Sequence, residues 1–369
     1  MKLQLQFPFP LPLKRLLWLL AAVGVFLLLG PAGHSDDVVP KVIHIAEIGG
    51  QNGKPLGAGF LTLAKEKGFF DDEFKKDGVT FEFRYYVGTG PAINEALAQG
   101  NADLGTYGGV PNVIGLAGGI PAHVVLTRHS RGSSSYYIAV QPGSSIQAVA
   151  DLRGKRISVQ KGTNPYAALI RFLEKNGLTE KDVKLVNLQN AEALAAFNAG
   201  ALDAVTGSSG LLVLRDQQKV RLVGPAGGIA DETNVSGYLV NDAFAQKYPD
   251  VVERLVKVIV KTAWWASQDE NRAELIAFFG QATVGGQKYA EEQYAGPLRQ
   301  RFSPLLDGEA LDGFRNIVAF GIAHKLVRGD AQFNAGWFEP KYLDAALKDL
   351  HLEAYWTPVP ATTAVAASP

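Results

Sequence analysis

Side chains able to do covalent or acid–base chemistry are sparse in this 369-residue chain. It has no Cys, which removes disulfides, thiolate metal sites and a cysteine nucleophile together. The six His, at 34, 44, 123, 129, 324 and 351, are scattered; His44 and His123 fall in strand-like runs, and none is assigned as a ligand or base. Nothing matches a phosphate loop, a dinucleotide fingerprint or a zinc-protease helix. What recurs is a type of loop: small residues and hydroxyls, then a Pro or a cap residue opening a helix. Such loops are Gly49-Gly50-Gln51-Asn52-Gly53-Lys54-Pro55-Leu56-Gly57, Gly88-Thr89-Gly90-Pro91, Tyr107-Gly108-Gly109-Val110-Pro111, Lys161-Gly162-Thr163-Asn164-Pro165 and the Ser208-Ser209 turn. Free backbone N–H groups at a helix start, aided by the helix dipole, suit an anion. Glycine lets a ligand approach the backbone, Thr89 and Thr163 offer hydroxyls, and Arg128, Arg131, Lys54 and Lys161 offer charge. Taken singly, each feature is as well explained as an ordinary cap, turn or solvated charge. Their recurrence at corresponding strand ends in both halves makes them a set.

The elements that must carry these loops alternate along the chain. Strand-like runs are Val42–Ile48, Val79–Val87, Ala102–Tyr107, Ala122–Thr127, Tyr136–Val140, Arg156–Gln160, Val183–Leu188, Ala204–Thr206 and Tyr238–Val240. In the second of these, Val79, Phe81, Phe83, Tyr85 and Val87 share one face at period two. Helices are expected over 57–67 and 91–99, the latter with Pro91 inside its start and Gly100 past its end. The order predicts an α/β fold with mostly parallel sheets. In open sheets of this kind, ligands bind beyond the carboxyl ends of the strands, where these loops lie. After Asp250 the chain turns helical, with apolar stripes Val251, Leu255, Val258, Ile259, Thr262 and Leu311, Phe314, Ile317, Val318, Ile322. One pattern repeats: Ala96-x-x-x-Gly100-x-x-Asp103 recurs as Ala196-x-x-x-Gly200-x-x-Asp203, each ending a helix and entering a strand. Two similar lobes are expected from it.

The ends of the chain read differently. Lys14-Arg15, an apolar run over 16–29 and Gly30-Pro31-Ala32-Gly33 have the pattern of a secretory signal peptide, so residues 1–33 are expected to be cleaved. Removing Lys2, Lys14 and Arg15 leaves 33 basic against 36 acidic residues, formally −3, which is not the balance of a nucleic-acid binder. Residues 357–369, all Pro, Ala, Thr, Val and Ser without charged side chains or periodicity, are expected to be disordered.

The run from Gly88 to Leu97, the run from Asn101 to Pro111, and Ala150-Asp151-Leu152-Arg153-Gly154-Lys155-Arg156-Ile157-Ser158-Val159-Gln160-Lys161-Gly162-Thr163 resemble the periplasmic sulfonate/nitrate/taurine-type substrate-binding proteins of ABC transporters. The resemblance spans roughly residues 41–350. It implies a type 2 periplasmic-binding-protein fold: lobe 1 at 41–129 plus 236–355, lobe 2 at 130–235, a two-segment hinge and a helical C-terminal section. Carried over by position, it implies a binding site made of the first-strand loop (Gln51, Asn52, Lys54, Gly57), Thr89, Gly90, Gly108, Gly109, Lys161, Gly162, Thr163, Ser208 and Ser209, to which the charge of Arg131 is expected to add a hydrogen bond. Relatives often carry an acid at the place of Gly109 and an aromatic-acidic pair at the place of Ser208-Ser209. Their first-strand loop lacks the extra Gln51-Asn52-Gly53-Lys54.

The function so implied is capture of a small-molecule anion, an alkyl- or arylsulfonate, in the periplasm and its delivery to an inner-membrane ABC permease with its ATPase. No catalytic residue, metal or cofactor is expected, and the protein is expected to be a monomer. Alternatives of the same fold are a nitrate, bicarbonate or thiamine-pyrimidine binder and a sensor that feeds no transporter. A related sulfinate-cleaving hydrolase uses a Cys nucleophile, which this chain lacks.

Overall fold

Alternating β-branched and helical segments set the element order in the computed structural model, which describes residues 39–49, 59–86, 90–129, 134–225, 228–230 and 235–362. Strand β1 (Val42–Ile48) leads to helices α1 (Phe60–Glu66) and α2 (Phe69–Phe74), then to β2 (Thr80–Tyr86), α3 (Gly90–Ala98), β3 (Leu104–Gly108), α4 (Gly109–Ala117) and β4 (Ala122–His129). The middle of the chain holds β5 (Ser134–Val140), β6 (Arg156–Ser158), α5 (Asn164–Lys175), β7 (Lys184–Val186), α6 (Asn190–Asn198), β8 (Ala204–Gly207), α7 (Ser209–Asp216), β9 (Arg221–Val223) and β10 (Ile229–Ala230). After β11 (Val235–Asn241) come α8 (Asp242–Lys247), α9 (Pro249–Ala266), α10 (Arg272–Ala282), α11 (Gln287–Gln293), α12 (Leu298–Arg301), α13 (Gly308–Ala323) and α14 (Lys341–Asp349). Among the described residues, no helix is long and apolar enough to cross a membrane. The expected signal peptide, residues 1–33, lies outside the described residues.

These strands form two sheets, ordered β2-β1-β3-β11-β4 and β10-β5-β8-β6-β7, with β9 also paired to β5. The expectation of mostly parallel sheets needs correction. Each sheet has a parallel core, β2-β1-β3 and β7-β6-β8, but β11 runs antiparallel to both β3 and β4, and β5 runs antiparallel to β8, β9 and β10. The reason is connectivity. β11 follows the last strand of the second sheet and enters the first between two strands already laid down. All seven of its residues are buried there. Its first half, Val235-Ser236-Gly237, has too little apolar pattern to read as a strand alone; Gly237 pairs with Tyr107 on one side and Thr127 on the other.

The repeated Ala-x-x-x-Gly-x-x-Asp pattern builds the same device twice. Gly100 (φ +68°) and Gly200 (φ +74°) end their helices in the left-handed conformation that disfavours side chains. The chain then turns back, with Asn101 N–H donating to Ala96 O at 2.8 Å and Ala201 N–H to Ala196 O at 2.9 Å. Asp103 N–H donates to His44 O and its carboxylate accepts from His44 N–H, at 2.9 and 2.7 Å. Asp203 does the same with Arg156, also at 2.9 and 2.7 Å. Each aspartate therefore stitches the third strand of its parallel core, β3 or β8, to the first, β1 or β6, fixing the register of the ladder. The two halves are alike down to single hydrogen bonds.

Packing joins the sheets. One hydrophobic cluster runs from Ala46, Tyr107 and Val124 of the first sheet through Phe314, Ile317 and Phe320 of α13 to Ile138, Ile157 and Tyr166 of the second half. The stripe on α9 is buried as its spacing predicts. The tail differs from expectation at its beginning. Val359 N–H donates to Asp307 Oδ2 at 2.9 Å and Thr362 N–H to Asp312 Oδ2 at 2.7 Å, so the chain through Thr362 lies along the start of α13. Two carboxylates that accept backbone N–H groups hold a segment with no pattern of its own. Residues 363–369 lie outside the described residues.

Asp203→Ala should lower stability by about 1–3 kcal/mol, read as a shift in the denaturant midpoint. Hydrogen bonds from the Arg156 guanidinium hold the Asp203 carboxyl below its ordinary value. Its contribution is therefore present above the unfolded value of about 3.9 and lost as pH falls through the folded one, so the variant should lose that part of the acid dependence.

Candidate functional site

The strand ends of the two sheets meet at one seam. From the first sheet comes the turn where β3 passes into α4, Gly108-Gly109-Val110. From the second comes the turn between β6 and α5, Lys161-Gly162-Thr163-Asn164. Val110 N–H donates to Asn164 Oδ1 at 3.0 Å. A Cβ on Gly108 would lie 2.6 Å from Asn164 Oδ1. A Cβ on Gly162, itself at φ +78°, would lie 3.4 Å from Ile114 Cδ1 of α4. Two helix starts thus approach one another, with the Val110 N–H of α4 taken by Asn164 and the Tyr166 N–H of α5 taken by Thr163.

The glycines on the first side are set by packing. Gly90, at the start of α3, has Pro111 Cγ 2.3 Å and Tyr107 Cδ2 2.9 Å from where its Cβ would be. Gly109 has Val235 O at 2.5 Å and Ile317 Cδ1 at 2.8 Å from the same point. A side chain at either position would push α3, α4 and α13 apart. Tyr107 is buried and its hydroxyl donates to Asn94 Oδ1, which ties β3 to α3 beside Gly90. Burial pushes the Tyr107 hydroxyl far up, so it stays a donor.

On the second side, Thr163 is 3% exposed and caps its own helix: it accepts from Tyr166 N–H at 3.4 Å and donates to Gln160 O at 2.6 Å. Lys161 is exposed, its N–H donates to Asn187 Oδ1 at 2.9 Å, and its Nζ lies 3.5 Å from Glu180 Oε1. That ammonium serves the flank of α5. Ser208 is exposed as the N-cap residue of α7 and makes no side-chain cap bond; Ser209 beside it is half-buried. Both sit at the end of β8, next to β6 in the sheet. The structure therefore brings Gly108 and Gly162, with Thr163 beside them, to one seam, sets Gly90 and Gly109 behind it in the first half, and leaves Lys161 turned to Glu180. Gln51, Asn52, Lys54, Gly57, Thr89 and Arg131 lie outside the described residues.

Two residues at the strand ends are missing from the expected binding set. Asn164 belongs to the loop recognised in the sequence, one place past the residues expected to bind. Glu47, near the end of β1, is 2% exposed and sits on the start of α1. Its carboxylate accepts from Leu61 N–H and Thr62 N–H, each at 3.1 Å, and from the Thr62 hydroxyl. A Cβ on Gly59 would lie 1.9 Å from Glu47 Oε1, so that glycine exists to admit the carboxylate. The signal was present as an acid near the end of the apolar run Val42–Ile48, where an unpaired charge is costly. Burial pushes the Glu47 carboxyl up, against the Thr62 hydroxyl, the two N–H groups and the charge of Arg128, which pull it down. A buried carboxyl thus holds the first helix start of the first sheet. Among the described residues, no three His, Asp or Glu side chains gather to hold a metal ion.

Comparison with known proteins fits this geometry. The sequence profile described as NMT1/THI5 like matches residues 58–273. The chain belongs to this family. A relative from Bacillus subtilis (strain 168), named as an aliphatic sulfonates-binding protein, is 31% identical over 213 residues, which are 58% of this chain and 64% of that protein. The chain thus spans less than two thirds of the length of that relative. The taurine-binding periplasmic protein of Escherichia coli (strain K12) is 27% identical over 57% of this chain and 68% of its own. Among solved structures, a periplasmic sulfonate-binding protein SsuA from Methylobacillus flagellatus KT superposes with a TM-score of 0.68 at 27% identity, covering 88% of this chain and 99% of that one. The desulfurization enzyme DSZB shares the fold alone, with a TM-score of 0.63 at 18% identity, covering 84% and 100%. The family member described here thus has the type 2 periplasmic-binding-protein fold.

Glu47→Gln keeps the shape of the side chain and removes its titration. A carboxyl raised above its unfolded value adds stability below that value and loses it as pH rises through the folded one. The variant should therefore be less stable than the wild type by about 1–3 kcal/mol in acid, with the gap closing toward neutral pH. Denaturant melts at two pH values check this, and a gap that widens with pH would contradict it.

Proposed function

We propose that the protein is a periplasmic solute-binding protein that captures a small organic anion, an alkyl- or arylsulfonate, and delivers it to an inner-membrane ABC permease with its ATPase. The two lobes of this reading are residues 41–129 with 236–355 and residues 130–235, closing on each other like a trap. Residues 1–33 act as the leader that takes the chain to the periplasm. The observation that carries the reading is the seam: two helix starts from different sheets, α4 and α5, face each other through backbone and small residues. Such a place offers N–H donors and positive helix-end potential with little bulk. The names of the similar proteins, for aliphatic sulfonates and taurine, support a sulfonate as the anion. The chain has no cysteine, which favours holding a ligand over cleaving it with a thiolate. Ligand and closed state stabilise each other, because contacts to both lobes exist only when they meet.

Isothermal titration of the chain lacking residues 1–33 against butanesulfonate, benzenesulfonate, taurine and nitrate tests the proposal. The sulfonates should bind at micromolar concentration or tighter, with nitrate weaker by at least about tenfold. Binding of none of these anions would overturn it.

A further inference from the structure

Helix α4 starts without a cap of its own. Its N-cap residue is Gly108, which has no side chain to offer. A capping side chain takes the N–H of the second or third helical residue. In α4 the third is Pro111, which has no N–H, so the only candidate is Val110. That one N–H donates to Asn164 Oδ1, 3.0 Å away, from the start of a helix that belongs to the other sheet. The cap of α5 itself is Thr163, so the cap that Asn164 gives α4 is not taken from its own helix.

Gly108 adds a second, independent observation. Its backbone, at φ −61° and ψ 154°, suits any residue, so its own conformation does not demand glycine. Yet a Cβ there would lie 2.6, 2.8 and 2.9 Å from Oδ1, Cγ and Nδ2 of Asn164. The reason for glycine at 108 is the carboxamide that docks against it from across the seam.

We propose that Asn164 is a helix cap supplied across the cleft, a positioning residue that latches the two halves together through Val110 N–H before any ligand arrives. Opening leaves α4 uncapped, and that loss favours closure. A cap of ordinary strength shifts the balance between open and closed by roughly tenfold. The inference rests on the two-lobe reading above, but not on which anion is bound.

The absence of native cysteine permits a clean distance measurement in the ligand-free protein. Spin labels on Glu95→Cys in α3 and Lys181→Cys between α5 and β7, both exposed sites, report the separation of the halves by double electron–electron resonance. The parent should give a single dominant distance. Asn164→Ala should add a second population at changed distance, enriched about tenfold over the parent. Asn164→Asp keeps the accepting oxygen and should retain the parent distribution. Gly108→Ala should populate the same second distance, and adding Asn164→Ala to it should open the protein no further than Asn164→Ala alone. An unchanged distribution in both Asn164→Ala and Gly108→Ala would overturn the latch. So would an Asn164→Asp protein that opens as far as Asn164→Ala. Should Asn164→Ala fail to fold, Gly108→Ala gives the same reading, since its backbone is unstrained. Failure of the latch would appear here without ligand, whereas failure of the anion reading would appear in the titrations with the distances unchanged.

Discussion

Close approach of two helix starts from separate sheets is the constraint on which the rest of this structure depends. Backbone N–H groups can face one another across a gap only if side chains stay out of it. Gly108 keeps one out on the first side, Gly162 turns at φ +78° on the second, and Asn164 spans the gap with one short polar group. Everything behind the seam positions it. The Asp103 and Asp203 stitches fix where β3 and β8 begin, β11 locks β3 in place from its open side, and α13 carries one hydrophobic cluster across both halves.

Electrostatics of the first sheet are arranged around that seam. The start of α1, which would otherwise be another anion site, is taken by Glu47. A helix start occupied by a buried carboxylate no longer attracts an anion of its own. In the proposed function, that leaves the start of α4 and the helix starts of the second sheet to the ligand. Such a division of labour accounts for two kinds of glycine: Gly59 makes room for the Glu47 carboxyl, while Gly108 makes room for the opposite half.

Much of this was legible in the residues. Val42–Ile48 is a strand with the bounds its pattern predicts, and the Ala-x-x-x-Gly-x-x-Asp repeat marked two equivalent halves whose hydrogen bonds prove alike. The turns at Gly108 and Gly162 were recognised as a set from their position after strands. What stayed hidden depended on contacts between segments far apart in the chain. Strand β11 looks weak because its pairing with β3 and β4, and not its own composition, holds Val235-Ser236-Gly237 extended. Glu47 looks like one polar residue in a strand until Gly59 and Thr62 fold over it. Asn164 looks like an ordinary first helical residue, since its partner, Val110, is 54 positions away. Thr357–Thr362 has no pattern at all, and order comes to it from Asp307 and Asp312.

Crystallography of the protein grown with a bound alkylsulfonate tests the central claim most directly. The account predicts the sulfonate oxygens within hydrogen-bond distance of backbone N–H groups from both the Gly108–Val110 turn and the Lys161–Asn164 turn. Sulfonate density held by one sheet's loops alone, or lying away from this seam, would contradict it.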